Sequence, residues 1–452
     1  MTTLITPTPI SGFPEHLPEI RMIEQKLLDT IRRNYELAWF ASIETPAVER
    51  TEVLTSKWAD DKEIYSVWRL LEEDESIEDK LALHFDLTVP MARYVAQKYN
   101  DLTFPFRRYA IQKVWRGERA QGWRYKEFYQ ADIDIIGDET LPISADVEIL
   151  TTINNVLADL DVGKYTIHIN NRKIIVGFVE SLWVDKSLVW DVIRIIDKMP
   201  KIGELEVRKS LSKKLELTSE VIDQAIVFCQ IAQKGNIAVL KYLDWIDNPE
   251  VQYGLIELKK VYEQAISLGM SDDTIMLDPS IARWLGYYTG TIYETFLDGH
   301  EWLGSICSGG RYDNLASYFT EKQLPGVGVS IGVSRLLSRL IQIGKYNTNR
   351  QTPSEILVTK LQSEYENQYL SILWELRKAG IPSEIYLDGS VKIGKQLGYA
   401  NKKWIPYSIV AGWDEFAKWE VQLKHMYTGE KEQVSIVDIT NRVKELLTQS
   451  IK

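Results

Sequence analysis

The chain has 452 residues, more than one hydrophobic core ordinarily serves, so two or three domains are expected. Its apolar fraction of 45% and charged fraction of 26% are those of a soluble globular protein and exclude a disordered chain. The net charge of −11 excludes a uniformly basic nucleic-acid binder, which leaves RNA binding only to a local basic surface.

No apolar run approaches the ~20 residues that span a bilayer. The opening MTTLITPTPISGFPEH lacks the basic-then-apolar pattern of a secretory signal. No membrane partner and a cytoplasmic location are therefore expected. Cys229 and Cys307 form no CxxC pair, and the histidines (16, 84, 168, 300 and 425) show no ligand spacing. Neither a disulfide framework nor a metal site built from protein motifs is expected.

In chain order, 19–37 places Ile20, Ile23, Leu27, Leu28, Ile31 and Leu37 at helical spacing, which predicts an amphipathic helix. The acidic stretch 70–80 reads as a loop. Residues 84–99 read as a strand end and then a helix over 89–98, with Pro90 in its first turn. FRRYAIQKVW is a strand ending at Trp115, and a second strand begins near Lys126 and alternates through Ile135. The polar, Gly-containing segment between them makes a long antiparallel hairpin. Residues 165–170 alternate as a strand, and 171–268 turn helical, as an insertion between two strands of one sheet. Further strands are expected over 280–297 and 304–312, then a strand running into a helix over 326–336.

The polar, aperiodic YNTNRQTPS at 346–354 is the best linker. After it come a strand (355–359), a helix (365–378), a strand (382–386), a helix (390–403), strands at 407–411 and 420–425, and a final helix over 439–451. That order implies a partly parallel sheet with helices on its faces.

The chemistry concentrates in the hairpin. Arg116, Glu118, Arg119, Gln121 and Arg124 crowd its polar loop. Planar, permanently charged guanidinium groups beside acidic and amide acceptors suit a polyphosphate held next to a zwitterion. A solvated charged hairpin is the bland alternative, and the order Arg116, Glu118, Arg124, Phe128, Gln130, Asp134 argues against it. The segment resembles motif 2 of the class II aminoacyl-tRNA synthetases, and in detail the histidyl-tRNA synthetases. Glu44-Thr45-Pro46-Ala47-Val48-Glu49 resembles motif 1. Asp86-Leu87-Thr88-Val89-Pro90 resembles the amino-acid-binding segment. Arg283-Trp284-Leu285-Gly286-Tyr287-Tyr288-Thr289-Gly290 and Ser308-Gly309-Gly310-Arg311-Tyr312-Asp313 resemble two histidine-specific signatures, and 328–336 resembles motif 3.

The resemblance runs from about residue 10 to the end. It implies an α+β catalytic domain over 1–345, with a mixed, mostly antiparallel sheet flanked by helices and a helical insertion at about 171–270. A linker over 346–354 and a C-terminal α/β anticodon-binding domain over 355–452 would follow. The implied activity is ATP-dependent formation of histidyl-adenylate and transfer to the 3′ end of tRNA(His), by a homodimer with motif 1 at its interface. ATP is the substrate and Mg²⁺ its companion. Arg116 and Arg283 would touch the α-phosphate and the substrate carboxylate, while Arg124 and Arg335 grip the distal phosphates. Phe128 would stack on adenine, with Glu118 accepting from its amino group or orienting Arg116. For histidine, Asp86, Thr88 and Gln130 would surround the α-ammonium, Leu87 would belong to the same histidine-binding set, Asp134 and Tyr288 would meet the two imidazole nitrogens, and Tyr287 would close the pocket. Gly309 and Gly310 would let backbone approach the ligand.

Several positions depart from the family pattern. Gly286 and Ser334 replace common acidic residues, and His84 stands where arginine is common. Trp123, Trp284, Trp404 and Trp419 stand where glycine is usual, a pattern that a UGA codon meaning glycine but translated as tryptophan would produce. If the tryptophans are real, a catalytically degenerate paralogue with a sensing or regulatory role is the alternative; a synthetase for another amino acid is a more distant one.

Overall fold

The computed structural model describes residues 4–55, 63–68, 80–119, 124–283, 288–346 and 348–449. They fall into two compact units, one within Met1–Pro14 and Lys26–Ile343, the other within Glu15–Gln25 and Gly344–Lys452.

The first unit is built on an eight-stranded sheet. Its spatial order is Ala41–Ser42, Phe106–Trp115, Glu127–Ile136, Gly326–Gly332, Cys307–Tyr312, Thr291–Leu297, Tyr165–Asn171 and Ile275–Leu277. Only the two outermost pairings are parallel. The hairpin of Phe106–Trp115 and Glu127–Ile136 lies where the alternation placed it. A period of two separates its second strand into two faces. Ala131, Ile133 and Ile135 are fully buried on one, while Gln130, Asp132 and Asp134 are buried on the other. A central strand carrying two buried carboxylates gives up core stability, and that polar face is where the site forms.

The helix over Pro18–Leu37, the helix Thr88–Gln97 with Pro90 in its first turn, and Val333–Gln342 after its strand agree with the spacing. Helices from Arg172–Ser181 to Pro249–Ser267 form the insertion. Three of their starts are capped by side chains: Asn171 accepts from the Lys173 N–H, Thr218 from Val221, and Asn248 from Glu250 and Val251. Phe178 stacks on Phe228 inside it at 3.8 Å between ring centres.

The strand expected over 280–297 is shorter, beginning at Thr291. Turn chemistry wins upstream. The Asp278 carboxylate accepts from the Ser280 N–H (3.0 Å) and hydroxyl (2.6 Å), and Asn170 donates to the carbonyls of Pro279 and Ile281. The brief parallel strand Ile275–Leu277 was too short to show a period. The loop expected over 70–80 lies almost wholly outside the described residues.

In the second unit a five-stranded sheet has the order Ser383–Ile385, Ile356–Val358, Tyr407–Val410, Glu420–His425, Lys431–Ser435. The first three run parallel and the last two antiparallel. Ile356, Val358, Tyr369, Leu376, Val421 and Val443 centre its core. The strand Lys431–Ser435 and the short helix Trp413–Ala417 have no clear signal in the sequence. The strand is a mostly exposed edge and the helix has only five residues, so neither carries an apolar period.

Candidate active site

Register places the functional residues in rows across one face of the large sheet. Directly opposed antiparallel residues share a face. Arg108, Asp134, Gly328 and Gly310 form one row, and Ala110, Asp132, Ser330, Ser308 and Glu294 the next. Gln112, Gln130 and Gly332 form a third, and Val114 with Phe128 a fourth. Asp132 and Glu294 are three strand spacings apart, roughly 14 Å. That span accommodates an amino acid joined to a nucleotide phosphate.

In the first row Arg108 and Asp134 make a wholly buried ion pair of 2.6 Å, and the Tyr312 hydroxyl donates to the other Asp134 oxygen at 2.6 Å. Arg108 also donates to the Leu87 carbonyl at 3.3 Å. A Cβ on Gly328 would collide with the Asp134 carboxylate, and one on Gly310 would come within 2.8 Å of the Tyr288 ring. These glycines make room for protein side chains, and the Gly309 position is filled by the backbone of Gly328 and Val329. This corrects the expectation that Gly309 and Gly310 admit backbone to a ligand. Arg311 is also structural, since it is buried on Asp146 and the carbonyls of Leu141 and Pro142.

Burial pushes Asp134 up to about 6 and Asp132 up to about 7, against the pull of Arg108. Burial also raises Asp86, which sits within the field of Arg116 and adds to the repulsion on both other carboxylates. Asp86 is in part committed to structure, because one oxygen accepts from the Val89 N–H (3.1 Å) at the start of Thr88–Gln97. Leu87 packs with Ala110, Val114 and Phe128. Gln130 donates to Ser330 at 2.9 Å. Buried oxygens of Gln130 and Asp132 have no partner among the described residues. Three acids in one another's field, with acceptors to spare, have the chemistry to receive a cation.

The arginines border that face. Arg116 donates to the Phe85 carbonyl (2.9 Å) and lies 5.2 Å from the Phe128 ring centre. Arg124 pairs with Glu118 at 3.2 Å. Arg335 donates to the Leu303 carbonyl at 3.1 Å. Burial lowers its pKa first, then Arg124 and Arg116 lower it while Glu118 and Glu294 oppose them, which places these groups within a common field. Arg283 reaches the same field through Glu294, at 2.9 Å. Its backbone is left-handed, at φ 49°.

Arg339 was not anticipated. One helical turn after Arg335, it is buried and pushed down to about 10 by desolvation and then by Arg335 and Arg124. The i, i+4 arginine spacing in the sequence was the available signal. Its Nε and that of Arg335 are buried without a partner among the described residues. Like charges crowded against desolvation have the chemistry to receive an anion. Tyr287, Trp284 and Gly286 lie outside the described residues, as do Gln121 and Trp123. Ser334, where an acid is common, accepts from the Tyr129 N–H at 3.0 Å and so fastens helix to hairpin.

An antiparallel sheet whose hairpin and following helix bring arginines beside a carboxylate-bearing face defines a class II aminoacyl-tRNA synthetase. The sequence profile of the histidyl-tRNA synthetases matches residues 12–336, and that of an anticodon-binding domain matches 355–446. The chain is 43% identical over 435 residues to the histidine–tRNA ligase of Thermobifida fusca, covering 95% of this chain and 97% of that protein. It is 43% identical over 446 residues to that of Clostridium tetani, covering 98% and 99%. The crystal structure of histidyl-tRNA synthetase from Nostoc sp. PCC 7120 matches with a TM-score of 0.90 at 39% identity, covering 98% of this chain and 100% of that one. The chain belongs to the histidyl-tRNA synthetase family.

Proposed function

We propose that this chain activates histidine with ATP and transfers it to the 3′ end of tRNA(His). The observation that carries the reading is the pairing of an acidic row with an arginine cluster on one sheet face. The histidine carboxylate attacks the α-phosphate, a new P–O bond forms, and pyrophosphate leaves with the cleaved one. Two anions must meet, and Arg116 and Arg283 lower that barrier by holding both. Arg124, Arg335 and Arg339 take the distal phosphates, with Phe128 and Glu118 at the adenine. Asp86, Thr88, Gln130 and Asp132 surround the α-ammonium. Asp134, fixed by Arg108 and Tyr312, accepts the imidazole N–H, with Tyr288 at the second nitrogen and Tyr287 closing over it.

Among the described residues no group of three or more His, Cys, Asp or Glu is placed to hold a metal. Mg²⁺ enters as part of the nucleotide substrate, carried on the ATP phosphates. In the second step a ribose hydroxyl of the tRNA attacks the adenylate carbonyl and AMP leaves. Residues 1–345 act as the catalytic domain and 355–452 as the anticodon-binding domain, joined by 346–354, in a cytoplasmic homodimer. Histidine-dependent ATP–pyrophosphate exchange on the purified protein tests the reading. Exchange with histidine alone supports it; a folded protein that binds histidine without exchange makes it a sensor instead.

A further inference from the structure

We infer that positions 39, 183, 404 and 419 are glycine in the protein as its source makes it, the codons there being UGA read as glycine rather than tryptophan. Backbone geometry carries this inference. Trp39, Trp183, Trp404 and Trp419 have φ of 65°, 56°, 58° and 57°, the left-handed region that penalises a bulky side chain. They are half of the non-glycine residues with positive φ among the described residues; the others are Glu139, Asp161, Glu216 and Arg283.

Each of the four ends a helix in the position that favours glycine. After Pro18–Leu37, Trp39 donates to the Glu36 carbonyl (3.0 Å) and Phe40 to Tyr35 (3.1 Å). After Ile393–Lys403, Trp404 donates to Asn401 (3.1 Å) and Ile405 to Ala400 (3.0 Å). Trp183 and Trp419 make the same first bond, to Glu180 (3.1 Å) and Phe416 (3.2 Å). The chain supplies its own comparison. After Pro249–Ser267 and Glu366–Lys378 the same paired bonds are made by Gly269 with Met270 and by Gly380 with Ile381. Gly269 and Gly380 have φ of 96° and 80°.

Packing offers little compensation for three of the indoles, and only the Trp404 ring has an aromatic neighbour among the described residues, Tyr427 at 5.4 Å between ring centres. Trp39, Trp183 and Trp419 are 85%, 95% and 71% exposed, and Trp404 is 38% exposed. Trp115 contrasts with them: it is half-buried, its indole N–H donates to Glu127 (2.9 Å), and its ring packs on His84. Trp39 and Trp183 come from backbone geometry alone. Trp404 and Trp419 come from both geometry and the family pattern, which extends the inference to Trp123 and Trp284.

Sequencing the gene and measuring peptide masses of the protein from its source test this together. UGA at all four positions, UGG at Trp115, and peptides lighter by the indolylmethyl substituent at each site are expected. UGG at the four positions, or peptides of tryptophan mass, overturn it. In protein made recombinantly with tryptophan, each of Trp39→Gly, Trp183→Gly and Trp419→Gly should raise the thermal midpoint by roughly a degree or two, and Gly380→Trp should lower it. Midpoints lowered by all three glycine substitutions also overturn it.

Discussion

Arg172 donates a hydrogen bond of 3.0 Å to the backbone carbonyl of Arg283, so the first residue of the helical insertion holds the strained backbone of a proposed catalytic arginine. The same guanidinium donates to the Ala282 carbonyl and lies 4.7 Å from the Trp190 ring. Asp197, also in the insertion, accepts from the Ala282 N–H at 3.1 Å. The insertion thus grips both sides of one peptide segment. Charge-assisted bonds of this kind contribute about 1.5–3 kcal/mol. Arg172→Met should therefore lower the exchange rate about 10- to 100-fold at saturating substrates. Normal turnover in a folded Arg172→Met protein would remove the insertion from the catalytic argument.

On the proposed reading, Arg339 serves the nucleotide and not the amino acid. Its neighbours are Arg335 and Arg124, and each like charge makes an incoming polyphosphate more welcome. Arg339→Ala should raise the KM for ATP about tenfold and leave the histidine KM within about twofold. Arg339→Lys should restore part of the loss, as a point charge without the planar fork. Exchange kinetics with each substrate varied in turn decide it. A rise confined to histidine would reassign the residue.

The sequence was informative where period and charge coincide. The hairpin was legible because alternation set its faces, and its arginines and acids then fell in register. Arg108 was missed because either arginine of the Arg107-Arg108 pair in FRRYAIQKVW reads as exposed, and only the opposing strand shows that Arg108 meets Asp134. The two glycines of SGGRYD were misassigned for a related reason. What a missing Cβ makes room for depends on a neighbouring strand, and here it is Tyr288 and the Gly328 backbone. The start of the strand at Thr291 was set by Asp278 and Asn170, hydrogen bonds that no hydrophobic pattern encodes.

The Arg108–Asp134 pair predicts an asymmetry between single and double substitutions. Removing one partner strands a buried charge, at a cost of about 3–5 kcal/mol. Arg108→Met and Asp134→Leu should each lower the urea midpoint strongly. The double variant should lose clearly less than the sum, because neither charge remains to be desolvated. Both variants that lack Asp134 should also lose histidine-dependent exchange. Additive losses of stability would mean that the two side chains act independently.

Asp132 sets a pH dependence whose sign follows from burial. Its ionisation is pushed up to about 7 from the ordinary carboxylate value of 3.8, mainly by desolvation. The fold therefore prefers the protonated form. Stability from this preference is full below the unfolded value and is lost as pH rises through about 7. Asp132→Asn cannot ionise and should escape that loss. Between pH 4.5 and 8 the variant should gain stability relative to the parent, on the order of 3 kcal/mol in all, with most of the change below pH 7. Urea unfolding of both proteins at matched ionic strength measures the difference. A difference that stays flat across that range would mean that the Asp132 carboxylate is not desolvated in the fold.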